Sequence, residues 1–456
     1  MPDQTSRPFV TSGSYPTRLG NMAQLLIDGE PAFHRICQAI ETAQHSVWAT
    51  VTFMWSAFQM PNGRGTALEV LDRAARRGVD IRLIFWRPDD ETATHRRNAF
   101  WGAPEHFKLL QELQVNIRWD RAHPGFCQHQ KTWLIDAGQD EQTVFLGGLN
   151  LNPNSVVKPG HFGEGQNHDV YIEMSGPSVA DVHHNFVQRW NEASEQHADG
   201  GCWGKKANTM LEFPTQLPVE HGTVSIQIQR TIHAGRYRNV AAPINGQPFD
   251  TPSGEQTNFG QYIVAIQLAQ HSIYIENQYL ELPEIVEALH DALERKVEVV
   301  MLLPITPDID TSPERRALFE ARAALAKYEN FTLAGIAGLG TDGRRKPVWI
   351  HSKLMLIDDT WATIGSANLH RYSMFGNIEL NAAMFSPQVV RGFRIALLEE
   401  HLALDTSRLD DVEALRQFKQ ITRANHEKLL VGDHVWQGLA VALEVATYGQ
   451  TPPVGW

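Results

Sequence analysis

The feature that most limits what this chain can fold into is an internal duplication. Ala43-Gln44-His45-Ser46, followed by VWATVTFM, returns as Ala269-Gln270-His271-Ser272, followed by IYIENQYL. HQKTWLID at 129–136 returns as HSKLMLID at 351–358, and GGLN at 147–150 returns as GSAN at 365–368. The offset between copies shortens along the chain, from 226 to 222 to 218 residues. Three blocks in one order with a drifting offset describe two copies of one unit separated by loop insertions and deletions. Such a repeat constrains the fold before any local propensity does.

Apolar runs such as VEVVMLLP, broken by helices of ten or more residues, argue for α/β units with largely buried sheets. In the first copy the pattern predicts helix 33–43, strand 47–54, helix 67–77 and strand 79–86. Strands around 115–119, 131–135, 143–146 and 169–174 follow. The second copy offers strand 272–279, helix 284–295 and strands 297–303, 331–336, 353–357, 361–364 and 380–385. Helices 179–194 and 391–403 close the two units, and 410–448 reads mainly as helix. Gly200-Gly201, Gly204 and Pro214 mark 198–222 as the connection. The chain therefore divides into an N-terminal repeat (1–200), a connection (201–222), a C-terminal repeat (223–405) and a helical tail (406–456).

Both copies contain His-x-Lys-x-x-x-x-Asp: His129, Lys131, Asp136 and His351, Lys353, Asp358. On an extended strand, residues i and i+2 point to one face, so histidine and lysine project together while Gln130 or Ser352 faces away. Burying an ammonium without a partner is costly, which makes this pair a poor structural choice. It is a good choice for a phosphate, because lysine neutralises the oxygens while imidazole handles bonds and protons. Asp136 and Asp358 end the same strands, where they can fix local structure. A glycine turn ending in Asn150 or Asn368 follows each motif. Glycine lets the backbone approach an anion closely, and asparagine donates hydrogen bonds without adding charge. One His-x-Lys pair among 20 histidines means little; two copies in matching surroundings point to function.

The second copy, HSKLMLIDDTWATIGSAN, matches the HxKxxxxDxxxxxxGSxN pattern of the phospholipase D superfamily at every specified position. The first has a longer spacer, AGQDEQTVFL, and Gly148 where the pattern has serine. The resemblance runs from about residue 20 to about residue 405. IYIENQYL (273–280) and NHDVYIEMSGP followed by NFVQRWN (167–177, 185–191) resemble the phospholipase D branch more than the nuclease branch. It implies two similar α/β repeats, mixed sheets flanked by helices, packed with pseudo-twofold symmetry around one active site. It also implies an acidic residue after each glycine turn that orients its catalytic histidine, at positions matching Asp169 and Glu379. A carboxylate on one imidazole nitrogen leaves the other poised to react.

The resemblance further implies a covalent phosphohistidine, with His129 as nucleophile and His351 as general acid. Lys131, Lys353, Asn150 and Asn368 would stabilise the phosphoryl oxygens, with no metal or other cofactor. The expected catalytic set is thus His129, Lys131, Asp136, Asp169, His351, Lys353, Asp358 and Glu379. The expected reaction is hydrolysis of phosphatidylcholine or a similar lipid to phosphatidic acid, with transphosphatidylation. A cardiolipin synthase-like transferase and a nuclease of the same superfamily are the alternatives.

Composition bears on the choice. A hydrophobic content of 42% with 20% charged residues fits a soluble globular protein. The net charge of −12 would repel a nucleic acid unless basic residues gathered at one place. His95-Arg96-Arg97 and Arg344-Arg345-Lys346 are the two short basic runs, and a solvated loop is the commoner fate of such runs. Trp55, Trp86 and Trp101 fall in expected loops or strand ends and could dip into a lipid interface, although core packing explains most tryptophans as well. His183-His184 reads as helix surface. Cys37 sits at core spacing, Cys127 reads as a bystander, and three cysteines with Cys202 form neither a disulfide framework nor a zinc pattern. No basic-then-apolar leader is seen at the N-terminus. No stretch approaches the roughly 18 apolar residues of a spanning helix. The expectation is a cytoplasmic or membrane-peripheral monomer, an internal pseudo-dimer acting on lipid at a membrane or micelle surface.

Overall fold

Each copy of the unit builds seven strands in one spatial order. In the first they run Arg18–Ile27, Val170–Ser175, Thr143–Gly147, Thr132–Ile135, Ser46–Val51, Asp80–Trp86 and Asn116–Asp120. In the second they run Val224–Ile232, Glu379–Phe385, Trp361–Gly365, Leu354–Ile357, Ser272–Glu276, Glu298–Leu302 and Phe331–Leu339. In both, the first four pairings are antiparallel and the last two parallel. The parallel strands are buried along nearly their whole length, which is why they read as unbroken apolar runs. The protein is described here from a computed structural model covering residues 8–88, 99–122, 125–238, 241–250, 252–307, 309, 315–453 and 455–456.

The two sheets join edge to edge. Arg18–Ile27 pairs antiparallel with Val224–Ile232, Arg18 opposite Ile226 and Asn21 opposite Val224, so each closes the other's open edge. Minor strands extend the result to 19 among the described residues. One hydrophobic cluster runs across the join, holding Leu134, Leu146 and Ile172 from the first half with Leu354, Ile364 and Ala382 from the second. Helix Val179–Asn191 is buried at every residue and sends Val182, Phe186 and Trp190 into that cluster.

Burial on all sides corrects the surface reading of His183-His184. Both side chains are enclosed, and burial lowers their pKa values to about 4 and about 3. His184 Nδ1 lies 3.1 Å from the Tyr15 hydroxyl. The strands Arg18–Ile27 and Val224–Ile232 and the helix Thr257–Leu268 also went unanticipated. VSIQIQ does alternate, but Gln227 and Gln229 are buried, bonding to Val10 O and Gln261 Oε1, so the polar face is not the wet face. The tail holds the long helix Asp411–Leu430, then a strand, Ala440–Ala442, which pairs with Phe331–Leu339. Cys202–Trp203 pairs with Asn116–Asp120, so the connection packs on the first sheet. Residues 8–15 cross to the second half, where Ser14 Oγ donates to Glu255 Oε2 at 2.8 Å.

Candidate active site

The two His-x-Lys pairs lie immediately before the strands Thr132–Ile135 and Leu354–Ile357, at the seam between the halves. Asp136 and Asp358, which end those strands, are turned away from it. Each sits in the left-handed backbone region (φ 52° and 53°) and spends its carboxylate on backbone N–H groups. Asp136 accepts from Gln44, His45 and Ser46; Asp358 accepts from Gln270, His271 and Ser272. The repeated Ala-Gln-His-Ser blocks are the segments these carboxylates clamp. The expectation that Asp136 and Asp358 belong to the catalytic set is thereby corrected.

The orienting carboxylates are crossed between the halves. His129 Nδ1 lies 2.9 Å from Glu379 Oε2, and His351 Nδ1 lies 2.6 Å from Asp169 Oδ2. The sequence reading gave each histidine a partner in its own copy; the partner comes from the other one. Backbone pairing causes the exchange. Ile350 lies beside His168 in a parallel pair, and the His351 N–H donates to His168 O at 2.8 Å. Gln128 is bridged to Ile378 in the same sense, with the His129 N–H donating to Ile378 O at 2.9 Å. Each motif thus runs alongside the residue preceding the opposite acid. His129 Nδ1 also lies 3.1 Å from the Ser366 carbonyl, an oxygen that only accepts. Nδ1 therefore carries the proton and leaves Nε2 bare.

Lys131 Nζ donates to His129 O at 2.7 Å and to Thr52 Oγ1 at 3.2 Å; Lys353 Nζ donates to His351 O. The intervening side chains point elsewhere, as expected: Gln130 Nε2 bonds to Glu379 O, and Ser352 Oγ to Glu276. Asn150 and Asn368 close matching turns, their carbonyls accepting from Asn152 and His370. The Oδ1 atom of each is buried without a protein hydrogen bond.

The departure at Gly148 has a steric cause. A Cβ there would overlap Asp169 Oδ1, whereas Ser366, its counterpart, donates its hydroxyl to Glu379 Oε2 at 2.6 Å. Ser373 Oγ adds a second donor to Glu379 at 2.5 Å. Asp169 takes the Val170 N–H at 2.8 Å beside its histidine. These serines were missed from sequence. Ser366 stood inside the GSAN match, and nothing in the sequence marked Ser373.

The electrostatics follow from that inequality. Burial pushes both carboxyls up, but the charges of His129 and Lys131 with the hydrogen bonds of His129 and Ser366 leave Glu379 below its usual range. Asp169 is pushed up to about 7, burial outweighing Lys353 and the Val170 N–H. Burial pulls Lys131 down to about 8 and Lys353 to about 7. It also lowers both histidines, His351 further because Lys353, Lys131 and His129 repel its charged form. Each histidine is charge-coupled to the lysine of the opposite copy, so the motifs form one site. Buried lysines kept short of anionic partners make a seat for an anion.

Two motif copies thus meet face to face, each bringing a lysine and a histidine held by a carboxylate of the other copy. The family model described as "Cardiolipin synthase, PLD-like domain" fits residues 36–190 and 262–397, and that described as "Phospholipase D" fits 160–282. The chain belongs to the phospholipase D superfamily. Within the superfamily it is similar to "Phospholipase D alpha 2" of Brassica oleracea var. capitata, 24% identical over 85% of this chain and 66% of that protein. It thus spans just under two thirds of that relative's length. It is also similar to "Cardiolipin synthase" of Listeria monocytogenes serotype 4a (strain HCC23), 23% identical over 86% and 71% of the two chains. The crystal structure of phosphatidylserine synthase from Haemophilus influenzae Rd KW20 superposes with a TM-score of 0.54 at 12% identity, covering 89% and 94%. That likeness confirms the two-repeat fold.

The remaining sequence readings divide. Trp86 is a buried core residue facing Phe53, not an interfacial one, while Trp55 and Trp101 are half-buried. His95-Arg96-Arg97 lies outside the described residues. In the other run, Lys346 pairs with Glu164 and Asp342, and Arg345 lies over Trp436. Cys37 is buried, its thiol pushed up to about 12 by burial, as core packing requires. Among the described residues no helix is long and apolar enough to cross a membrane.

Proposed function

We propose that the protein is a phospholipase D-like phosphodiesterase acting on phosphatidylcholine or a similar glycerophospholipid. It releases phosphatidic acid and passes the phosphatidyl group to other alcohols. The observation that carries this reading is the pair of crossed histidine–carboxylate dyads with a buried lysine beside each. The two dyads differ in the way a two-step displacement needs.

His129 Nε2, bare because Nδ1 holds the proton, attacks phosphorus. The bond to the leaving alcohol breaks, and His351 gives that oxygen its proton. The phosphoimidazolium is stabilised by ionised Glu379, which Ser366 and Ser373 keep charged. His351 is held neutral by its surroundings, so the proton it gives leaves from Nε2 while the Asp169 carboxyl, of high proton affinity, passes its own proton to Nδ1. In the second step His351 takes a proton from water or an alcohol, whose oxygen displaces His129. Splitting the displacement in this way is the gain of covalent catalysis. The acid–base help contributes about 10²–10⁴-fold. Lys131 and Lys353, with the amides of Asn150 and Asn368, supply positive charge to the phosphoryl oxygens in a site poor in water.

A transferase reading, with cardiolipin as the product, is favoured by the family description and by the printed name of the Listeria relative. One experiment separates the readings. Purified protein is given phosphatidylcholine vesicles with ethanol, phosphatidylglycerol vesicles, or single-stranded DNA, with EDTA added at the start and products identified by mass spectrometry. Phosphatidic acid with phosphatidylethanol, absent in His129→Ala and His351→Ala, supports the first reading. Cardiolipin with free glycerol as the dominant product supports the second. Cut DNA with untouched lipid overturns both.

A further inference from the structure

Behind the active site, on the far side of Asp169, lies a second group of ionisable side chains that the reaction does not use. Asp28, His161 and His168 come from the first half and Glu400 from the second. Asp28 Oδ1 is 2.9 Å from His168 Nδ1, Asp28 Oδ2 is 3.1 Å from His161 Nε2, and His161 Nε2 is 3.4 Å from Glu400 Oε1. The side chains of Asp28, His161 and His168 are 0% exposed, and that of Glu400 is 6% exposed. We propose that Asp28, His161, His168 and Glu400 bind a divalent transition-metal ion of the zinc class, a structural ion that locks the two halves together.

Unspent bonding capacity is the first argument. His161 Nδ1 and Glu400 Oε2 are buried with no hydrogen-bond partner among the described residues, while Asp28 Oδ2 and His161 Nε2 meet only inside the cluster, at 3.1 Å and without hydrogen-bond geometry. A buried polar group left unpaired is costly, so several in one place call for a ligand. Spacing is the second. Four ligands at metal distances of about 2.0–2.1 Å in a tetrahedron stand about 3.3 Å apart. The contacts of 2.9–3.4 Å are of that size, and all four ligand atoms lie within 4.8 Å of one another. Charge is the third: two carboxylates balance a divalent cation with both imidazoles neutral.

The surroundings have the form of a metal-site support. His168 uses Nδ1 toward the cluster and presents Nε2 to Glu276 Oε2 at 3.0 Å. Glu276 is held in turn by Ser352 Oγ and the Tyr274 hydroxyl, both at 2.6 Å. A carboxylate behind a ligating imidazole fixes its tautomer and raises its basicity. The main chain is committed as well. Asp28 and His161 adopt positive φ, 64° and 49°, and a side chain at residue 338 would strike the His161 carbonyl where Gly338 leaves room. Strained backbone of this sort persists where surrounding contacts fix it. The ion would hold the Asp169 segment from both sides, since the Asp28 N–H donates to Asp169 O and His168 O accepts from His351. Imidazole with carboxylate suits zinc, iron or manganese over magnesium, which prefers oxygen and water.

The test needs no lipid and is independent of the reaction proposed above. Full-length protein expressed with zinc and desalted is expected to carry about one metal per chain by plasma mass spectrometry. Its Co²⁺ form is expected to show the visible absorption of a four-coordinate site. His161→Gln and Glu400→Gln should each lose most of the metal. Glu276→Gln should weaken uptake about 10–100-fold, as loss of a supporting carboxylate does. His351→Gln should keep the full equivalent. Chain that carries no metal, takes up neither Zn²⁺, Fe²⁺ nor Mn²⁺ on dialysis and keeps its melting temperature would overturn the proposal. So would one equivalent retained by both His161→Gln and Glu400→Gln.

Discussion

Two lysines brought into a site that gives them too little negative charge set the terms for the chemistry at the residue scale. Because burial lowers Lys131 to about 8 and Lys353 to about 7, against about 10.4 in an unfolded chain, each charged form destabilises the fold. The cost is full below pH 7 and is lifted progressively as pH rises from the folded values toward the unfolded one of about 10.4. A phosphodiester restores the missing charge and holds both lysines protonated. Two outcomes follow. The alkaline limb of kcat/KM should fall between about pH 7 and pH 8, because that ratio reports the free enzyme. The limb of kcat should lie higher, and coincident limbs in stopped assays would defeat this account. Lys353→Gln should raise the melting temperature at pH 6 while lowering kcat/KM by about 10²–10³-fold, the size of losing one oxyanion donor. The same reasoning covers Gly148. Gly148→Ser must push Asp169 aside, so it should lower kcat while the fold, read by circular dichroism, stays intact.

At the scale of elements, the Asp of each motif belongs to the architecture. Asp136→Ala leaves the N–H groups of Gln44, His45 and Ser46 without their acceptor, and hydrogen bonds to a charged group contribute about 1.5–3 kcal/mol each. With water replacing part of the loss at this half-exposed turn, a net destabilisation of about 2–3 kcal/mol is expected by urea denaturation. Turnover of the folded fraction should stay within a few-fold of the parent; loss of chemistry without loss of stability would return Asp136 to the reaction. Why a carboxylate recurs there was hidden in the sequence, although both halves of the answer stood in it as repeats, the motif Asp and the Ala-Gln-His-Ser block. The motif strands and the helices at 67 and 284 were legible because they are periodic and apolar. Arg18–Ile27 and Val224–Ile232 were not, since their buried positions include glutamine, asparagine and arginine. His129, Lys131, His351 and Lys353 could be read directly. The crossing of Glu379 to His129 could not, because it depends on which strand edges meet, and no local pattern records that.

At the scale of the whole molecule, duplication and crossing together explain why one chain makes one site. A single copy would hold a histidine whose carboxylate lies on a partner, so two copies facing each other complete both dyads, and fusion fixes them at equal concentration. Once fused, the copies are free to diverge, and they have done so where it matters for direction. Glu379 keeps its serines and its charge, whereas Asp169 faces Gly148 and holds a proton more tightly. The proposed division of labour, attack by His129 and proton delivery by His351, rests on this asymmetry, and a substrate with a good leaving group can separate the two roles. With a p-nitrophenyl phosphodiester, departure needs no acid. His351→Ala should therefore release a burst of nitrophenolate and then stall, leaving an acid-labile adduct on the peptide containing His129. His129→Ala should give neither burst nor adduct. Glu379→Gln should slow the burst by about 10²–10⁴-fold, and should add little to the loss already caused by His129→Ala, since residues acting as a unit are not additive. An adduct found on the peptide containing His351 would reverse the assignment while leaving the crossed dyads as they are.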